Sequence, residues 1–277
     1  MKILRHRLHL DGGKAVPFER SPNAGGRLEP KYLVMHYTGG SSADGSIQWL
    51  CDPAARASAH LVIGRDGSIT QLVPFDRVAW HAGASQWEGL SGLNAHSIGI
   101  ELDNAGRLQR KGGRWRAWFG TAYDDDQVME ATHKHESEPS GWQLFPEAQI
   151  DAAIRVAKVL MDKYELRDIV GHDDISPGRK VDPGPAFPLA QLRARLAGRG
   201  DDRMPVYEAT THLNIRSGPG ADHPRLPEAP LAPGTRLEVA GEDGRWRLVY
   251  LLDEHASEAG EAPVEGWVHG NYIRRLD

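Results

Sequence analysis

The stretch YLVMHYTGG, residues 32–40, reads as a buried strand that runs into a glycine turn. Tyr32 to Tyr37 is apolar or aromatic apart from His36, and Thr38-Gly39-Gly40 lets the chain leave the sheet. Working outward, residues 58–63 and 68–73 are two further apolar-rich runs. Arg65-Asp66-Gly67 lies between them, and Asp-Gly is a strong hairpin signal. The segment SIGIEL, residues 97–102, alternates. Ile98, Ile100 and Leu102 face one way, while Gly99 and Glu101 face the other.

Helices are expected to pack on this sheet. Pro146 suits a first helical position, and Ile150, Ile154, Ala157 and Met161 follow at helical spacing. Residues 167–170 read as a short strand leading to His172, and residues 189–196 as a helix stopped by Gly198. Strands mixed with packing helices predict an α/β domain with a mixed central sheet over residues 1–198. Residues 104–145 fit poorly. They carry Trp115, Trp118, Trp142, a DDD run, His133 and His135, with little periodicity. They read as a loop-like insertion beside or over the active site, or as a surface excursion pinned by its tryptophans.

Composition bounds the function. The 277 residues are 40% hydrophobic and 26% charged, as in an ordinary globular protein. A net charge of −5 argues against nucleic acid as the main partner. No stretch approaches a membrane span of about 20 apolar residues. The N-terminus lacks the apolar run of a signal peptide, so the expectation is synthesis in the cytoplasm with any export by another route. The single Cys51 precludes an intrachain disulfide. Residues 201–277 hold 8 Lys+Arg against 14 Asp+Glu, net −6, which leaves +1 for the remainder. That contrast predicts two separately built units.

The segment VGHDDISPGRKVDPGPAFP, residues 170–188, carries the chemistry. Pro177, Pro183, Pro185 and three glycines make a rigid, non-repetitive turn, which is a costly place for charge unless it exists to present it. His172 leads it. Lys180 and Asp182, two residues apart, project the same way in an extended backbone. A catalytic zinc site needs three protein ligands and a position open to water. His172 and Asp182 supply two. Spacing alone leaves His36 open between third ligand and structural strand-end histidine.

These pieces occur together in one family. VMHYTGG (34–40), SAHLVIGRDGSITQLVP (58–74), AWHAG (79–83), SIGIEL (97–102) and GHDDISPGRKVDPGP (171–185) resemble, in order, the type-2 N-acetylmuramoyl-L-alanine amidases, which share their fold with peptidoglycan recognition proteins. The resemblance implies a Zn2+ ion on His36, His172 and Asp182. It implies Glu101 as general base or water-orienting group and Lys180 as oxyanion stabiliser, a task suited to a cation. The substrate implied is peptidoglycan or a muropeptide, cut between N-acetylmuramic acid and L-alanine. His60, Trp80, His81 and Asn94 become candidate substrate contacts. The competing reading makes the two histidines hydrogen-bonded packing residues, and Asn94, with His96, a brace for the loop before the Glu101 strand. A catalytic Tyr found in some relatives is absent, which leaves the proton work to Glu101. A binding-only recognition protein is the alternative, but such relatives typically lack part of the ligand set.

Residues 199–204 are a polar linker. Beyond it, LNIRSGPG (213–220) and the short β-type runs of 205–277 resemble bacterial SH3-like domains, which implies a small all-β barrel and binding of cell-wall peptides. Trp246, Trp267 and Tyr272 suggest an aromatic groove. For the two tryptophans the preferred expectation is the barrel core. Residues 253–264 are expected to form a loop between strands.

Overall fold

The computed structural model describes residues 1–196, 206–252 and 264–276. The chain divides into two compact units, Met1–Ala197 and Gly198–Asp277. The linker expected at 199–204 and nearly all of the loop expected at 253–264 lie outside the described residues.

The first unit is built on a five-stranded sheet in the order Asp168–Gly171, Tyr32–Tyr37, Ser97–Leu102, Leu61–Ile63, Ile69–Gln71. The first four strands are parallel, and the last closes an antiparallel hairpin. The Asp-Gly turn is there, with Gly67 at φ +81° and the Gly64 amide donating to the Ser68 carbonyl. The YLVMHY and SIGIEL strands begin and end where the sequence predicts.

One face of the sheet presents Leu33, Met35, Ile98, Ile100, Leu61 and Ile63. Against it packs helix α2, Glu147–Tyr164, through Ala152, Ala153, Val156, Ala157 and Leu160. Small alanines let the helix approach closely. Each large aliphatic buried in this way contributes roughly 1.5–3 kcal/mol. Pro146 precedes the helix as its N-cap rather than opening it. Buried Gln149 bridges the Ile63 and Asp103 carbonyls at the strand ends.

The other face carries Val34, His36, Gly99 and Glu101. Helix α1, Ala43–Leu50, follows the glycine turn and is capped by Ser42. It buries Ile47 and Leu50 against Val62, Leu72 and Val73. Helix α3, His172–Ile175, is a single turn after the edge strand, and α4 is Leu189–Leu196.

Residues 104–145 correct the expectation of a structureless loop. They form a second five-stranded sheet, in the order Ala122–Tyr123, Arg114–Arg116, Arg107–Lys111, Pro139–Gln143, Val128–Thr132. Its strands are only two to five residues long, too short for a clear alternation. The overlooked signal is Gly112-Gly113, both at positive φ, in the first hairpin turn. Trp115 and Trp142 are buried, whereas Trp118 is exposed.

The second unit is β-rich, with one antiparallel sheet ordered Glu265–His269, Trp246–Leu251, Arg236–Asp243, Val206–Ala209, Ile273–Arg275. Leu213 and Ile215 enter its core from a segment joined by single bridges. Trp246 and Trp267, expected in the core, are half-buried. Val249 and Val268 take the inward positions, and alternation turns Trp267 away from the core.

Candidate metal centre and active site

Parallel pairing sets Glu101 beside His36 in register. Residues paired across a parallel ladder share a face, so the carboxylate and the imidazole project into one cleft. The edge strand delivers His172 at the first position of α3. The turn that follows returns Asp182, whose carbonyl accepts from the Asp173 amide at 2.9 Å. His36 Nδ1, His172 Nδ1 and Asp182 Oδ2 lie 2.9 Å from one another. Among the described residues this is the one His/Cys/Asp/Glu group with the geometry to hold a metal ion.

The tautomers follow from the outer nitrogens. His172 Nε2 faces the Ala82 carbonyl at 3.0 Å and the Arg179 guanidinium at 3.3 Å; that guanidinium nitrogen sits closer to the Ala82 and Ala84 carbonyls, at 2.8 and 2.7 Å, so Nε2 donates to the carbonyl and Nδ1 is bare. His36 Nε2 faces His81 Nδ1 at 3.0 Å. His81 Nε2 meets the Ser97 carbonyl at 3.3 Å, and the Ser97 hydroxyl is already donating to Leu93. His81 therefore donates from Nε2 and accepts at Nδ1, so His36 donates from Nε2 and its Nδ1 is bare. Two imidazole lone pairs and a carboxylate thus converge with no hydrogen between them. Such a set repels itself unless a cation sits at its centre, and the donor types suit zinc. Burial, then the neighbouring His172, pushes His36 down to about 4, so the ring is neutral and able to ligate at neutral pH.

Glu101 is half-buried, and its Oε2 has no hydrogen-bond partner among the described residues. Burial, then the Asp182 carboxylate, pushes the Glu101 carboxyl well above the usual range, with Lys180 working the other way. Lys180, Trp80 and His81 line the same cleft.

The remaining candidates separate. His60 is fully buried, accepts from the Gly99 amide at Nδ1 and donates from Nε2 to the Arg77 carbonyl. It is a brace between strands and is absent from the cleft lining, the geometry of the packing reading rather than of a substrate contact. Asn94 is likewise engaged, its Oδ1 accepting from the His81 and Ala82 amides at 2.9 and 2.7 Å. It holds the carbonyl and the ring that orient His172 and His36. His81 is therefore chiefly the partner of His36, a role the sequence reading did not assign. Gly99 is the signal that accompanies it: a Cβ there would collide with the His81 ring. Arg179 was also overlooked. It donates to the Ala82 and Ala84 carbonyls and to Ser176 Oγ, pinning the turn.

The inserted sheet grips this turn. His133 Nε2 donates to Asp173 Oδ2 at 3.0 Å, His135 donates to the Asp173 carbonyl, and Lys134 pairs with Asp173 and Asp174. His133 and His135 thus bind protein groups.

Converging neutral imidazoles and a carboxylate, flanked by a carboxyl and an ammonium in a solvent-open cleft, are the parts of a metal-assisted hydrolase. Residues 26–185 match the family described as N-acetylmuramoyl-L-alanine amidase, and the chain belongs to that family. It is 35% identical to the N-acetylmuramoyl-L-alanine amidase AmiD of Escherichia coli (strain K12) over 185 residues, 64% of this chain and 56% of AmiD. It is 34% identical to the 1,6-anhydro-N-acetylmuramyl-L-alanine amidase AmpD of the same organism over 210 residues, 68% of this chain and 94% of AmpD. The solved complex of E. coli AmiD with the substrate anhydro-N-acetylmuramic acid-L-Ala-D-gamma-Glu-L-Lys aligns with a TM-score of 0.46 at 34% identity, over 65% of this chain and 61% of that one. No helix among the described residues is long and apolar enough to cross a membrane.

Proposed function

We propose that this amidase uses a Zn2+ ion on His36, His172 and Asp182 to hydrolyse the amide between N-acetylmuramic acid and L-alanine in peptidoglycan fragments. The observation that carries this reading is the triangle of bare acceptor atoms in the cleft shared by Glu101 and Lys180. The family match and the identity to AmpD, an amidase of anhydromuramyl-L-alanine, support the substrate class.

Zinc, when bound, supplies Lewis acidity to the attacked carbonyl and acidifies water. Glu101 takes the proton of the attacking water. Its desolvated, unpartnered oxygen and raised proton affinity suit that task. Lys180 offers its ammonium to the oxygen on which charge develops. The same proton passes from Glu101 to the departing alanine nitrogen. A binding-only protein has no use for this carboxyl and ammonium beside the ligand set.

The second unit acts as an SH3-like module that binds cell-wall peptides. A cavity lined by Trp246, His269 and Tyr272 supports that role.

The test is incubation of zinc-loaded chain with muramyl-tripeptide, followed by assay of new L-alanine amino termini. Release that stops with chelator and returns with zinc is expected. No release at full zinc occupancy would sink the reading.

A further inference from the structure

A second recess, of about 480 Å³, opens beside the metal cleft. Thr38, Trp49, Leu50 and Glu101 line both spaces, so the two join along the Glu101 side chain. Trp118 and Phe119, in the turn between the Arg114–Arg116 and Ala122–Tyr123 strands of the inserted sheet, form its outer wall. Trp118 is 82% exposed and Trp49 57%. Large aromatics left in water on one recess mark a binding surface more often than an accident. Trp118 is nonetheless fixed in orientation. Its Nε1 donates to the Gly39 carbonyl at 2.7 Å, and Phe119 meets its ring edge-on at 5.6 Å. The indole is pre-positioned with a face still open.

We infer that Trp118, with Trp49 and Phe119, forms a saccharide subsite that seats a neutral N-acetylhexosamine ring on the glycan side of the scissile amide. The inference rests on the substrate reading above. That substrate has two arms: a sugar without charge, and a stem peptide rich in carboxylates. The recess has no cation in its lining, and its one charged group is the carboxyl Glu101, so it disfavours an acidic peptide. Arg179 and Lys180 line the metal cleft instead, where carboxylates are attracted. A pyranose presents a face of C–H groups with partial positive charge, and the π face of an indole is its electrostatic complement. Thr38, Ser41 and Ser46 add hydroxyls suited to an N-acetyl or ring hydroxyl group. The insertion thus becomes a specificity element, and Trp118 its principal contact.

The test uses the full zinc-loaded chain. N,N′,N″-triacetylchitotriose, a peptide-free neutral saccharide, and the peptide L-Ala-D-γ-Glu-L-Lys are titrated separately by calorimetry into wild type, Trp118→Ala and Trp118→Phe. Loss of one stacking contact is expected to weaken saccharide binding about tenfold in Trp118→Ala, with partial recovery in Trp118→Phe and peptide affinity within twofold of wild type. The ratio kcat/KM on a disaccharide-peptide is expected to fall by the same factor. Absence of saccharide binding to wild type, unchanged saccharide affinity in Trp118→Ala, or a loss confined to the peptide overturns the assignment. Saccharide binding through Trp118 without any amide cleavage leaves the subsite standing and overturns the hydrolase reading alone.

Discussion

At the scale of single residues, the site depends on hydrogen placement more than on ligand identity. Glu101 lies close to the metal ligands without being one of them. Glu101→Gln is therefore expected to keep one zinc per chain by metal analysis while amide cleavage falls at least about a hundredfold. Full activity in that variant would move the proton work to another group. His60 offers a contrast, because its burial serves the fold. Burial holds it at about 4, against 6.5 when exposed. Between those values the unfolded chain binds the proton and the folded chain does not. Stability from this residue is thus present above about pH 6.5 and lost as pH falls toward 4, a change on the order of 3 kcal/mol. Urea unfolding across that window is expected to show a shallower pH dependence in His60→Gln. An identical slope would show that other groups carry it.

At the scale of elements, the inserted sheet does more than cover the site. Its 132–135 segment reaches the first residues after the edge strand through His133, Lys134 and His135, and the Asp173 amide in turn holds the Asp182 carbonyl. The expected consequence is that His133→Ala, which removes no ligand atom, weakens zinc affinity by about tenfold, the low end of the range for residues that orient ligands. Competition against a zinc-binding dye measures this, and unaltered affinity would reduce the sheet to a wall. These strands escaped the sequence reading for a physical reason. They are two to five residues long, and Arg107–Lys111 pairs with Pro139–Gln143 across a long gap in sequence, so local alternation carries little of their stability. The Tyr32–Tyr37 and Ser97–Leu102 strands were legible because both of their faces are buried or functional along the whole length.

At the scale of the whole molecule, the two units have separate cores, and the triad belongs to Met1–Ala197. Zinc that binds only the folded site stabilises it by mass action, about 2.7 kcal/mol at a hundredfold excess over Kd. Scanning calorimetry is expected to show zinc raising, and chelator lowering, the transition of the first unit while a transition of the second stays in place. A shift of both together would mean that the units unfold as one.

The sequence by itself determined the two central strands, the Asp-Gly hairpin, the helix after Pro146 and the residue types of the ligand set, because these rest on local periodicity, turn chemistry and motif. It left His36 open between ligand and structural histidine, and it left His60 and Asn94 open between substrate contact and structural brace. Those points turn on tertiary structure. His36 and His172 are 136 residues apart, and what brings their Nδ1 atoms to 2.9 Å is parallel pairing of neighbouring strands. Which nitrogen is bare depends on Ala82, His81 and Ser97, acceptors delivered by a different part of the chain. Side-chain periodicity is local, whereas the direction of a lone pair is set by whatever the fold places behind it.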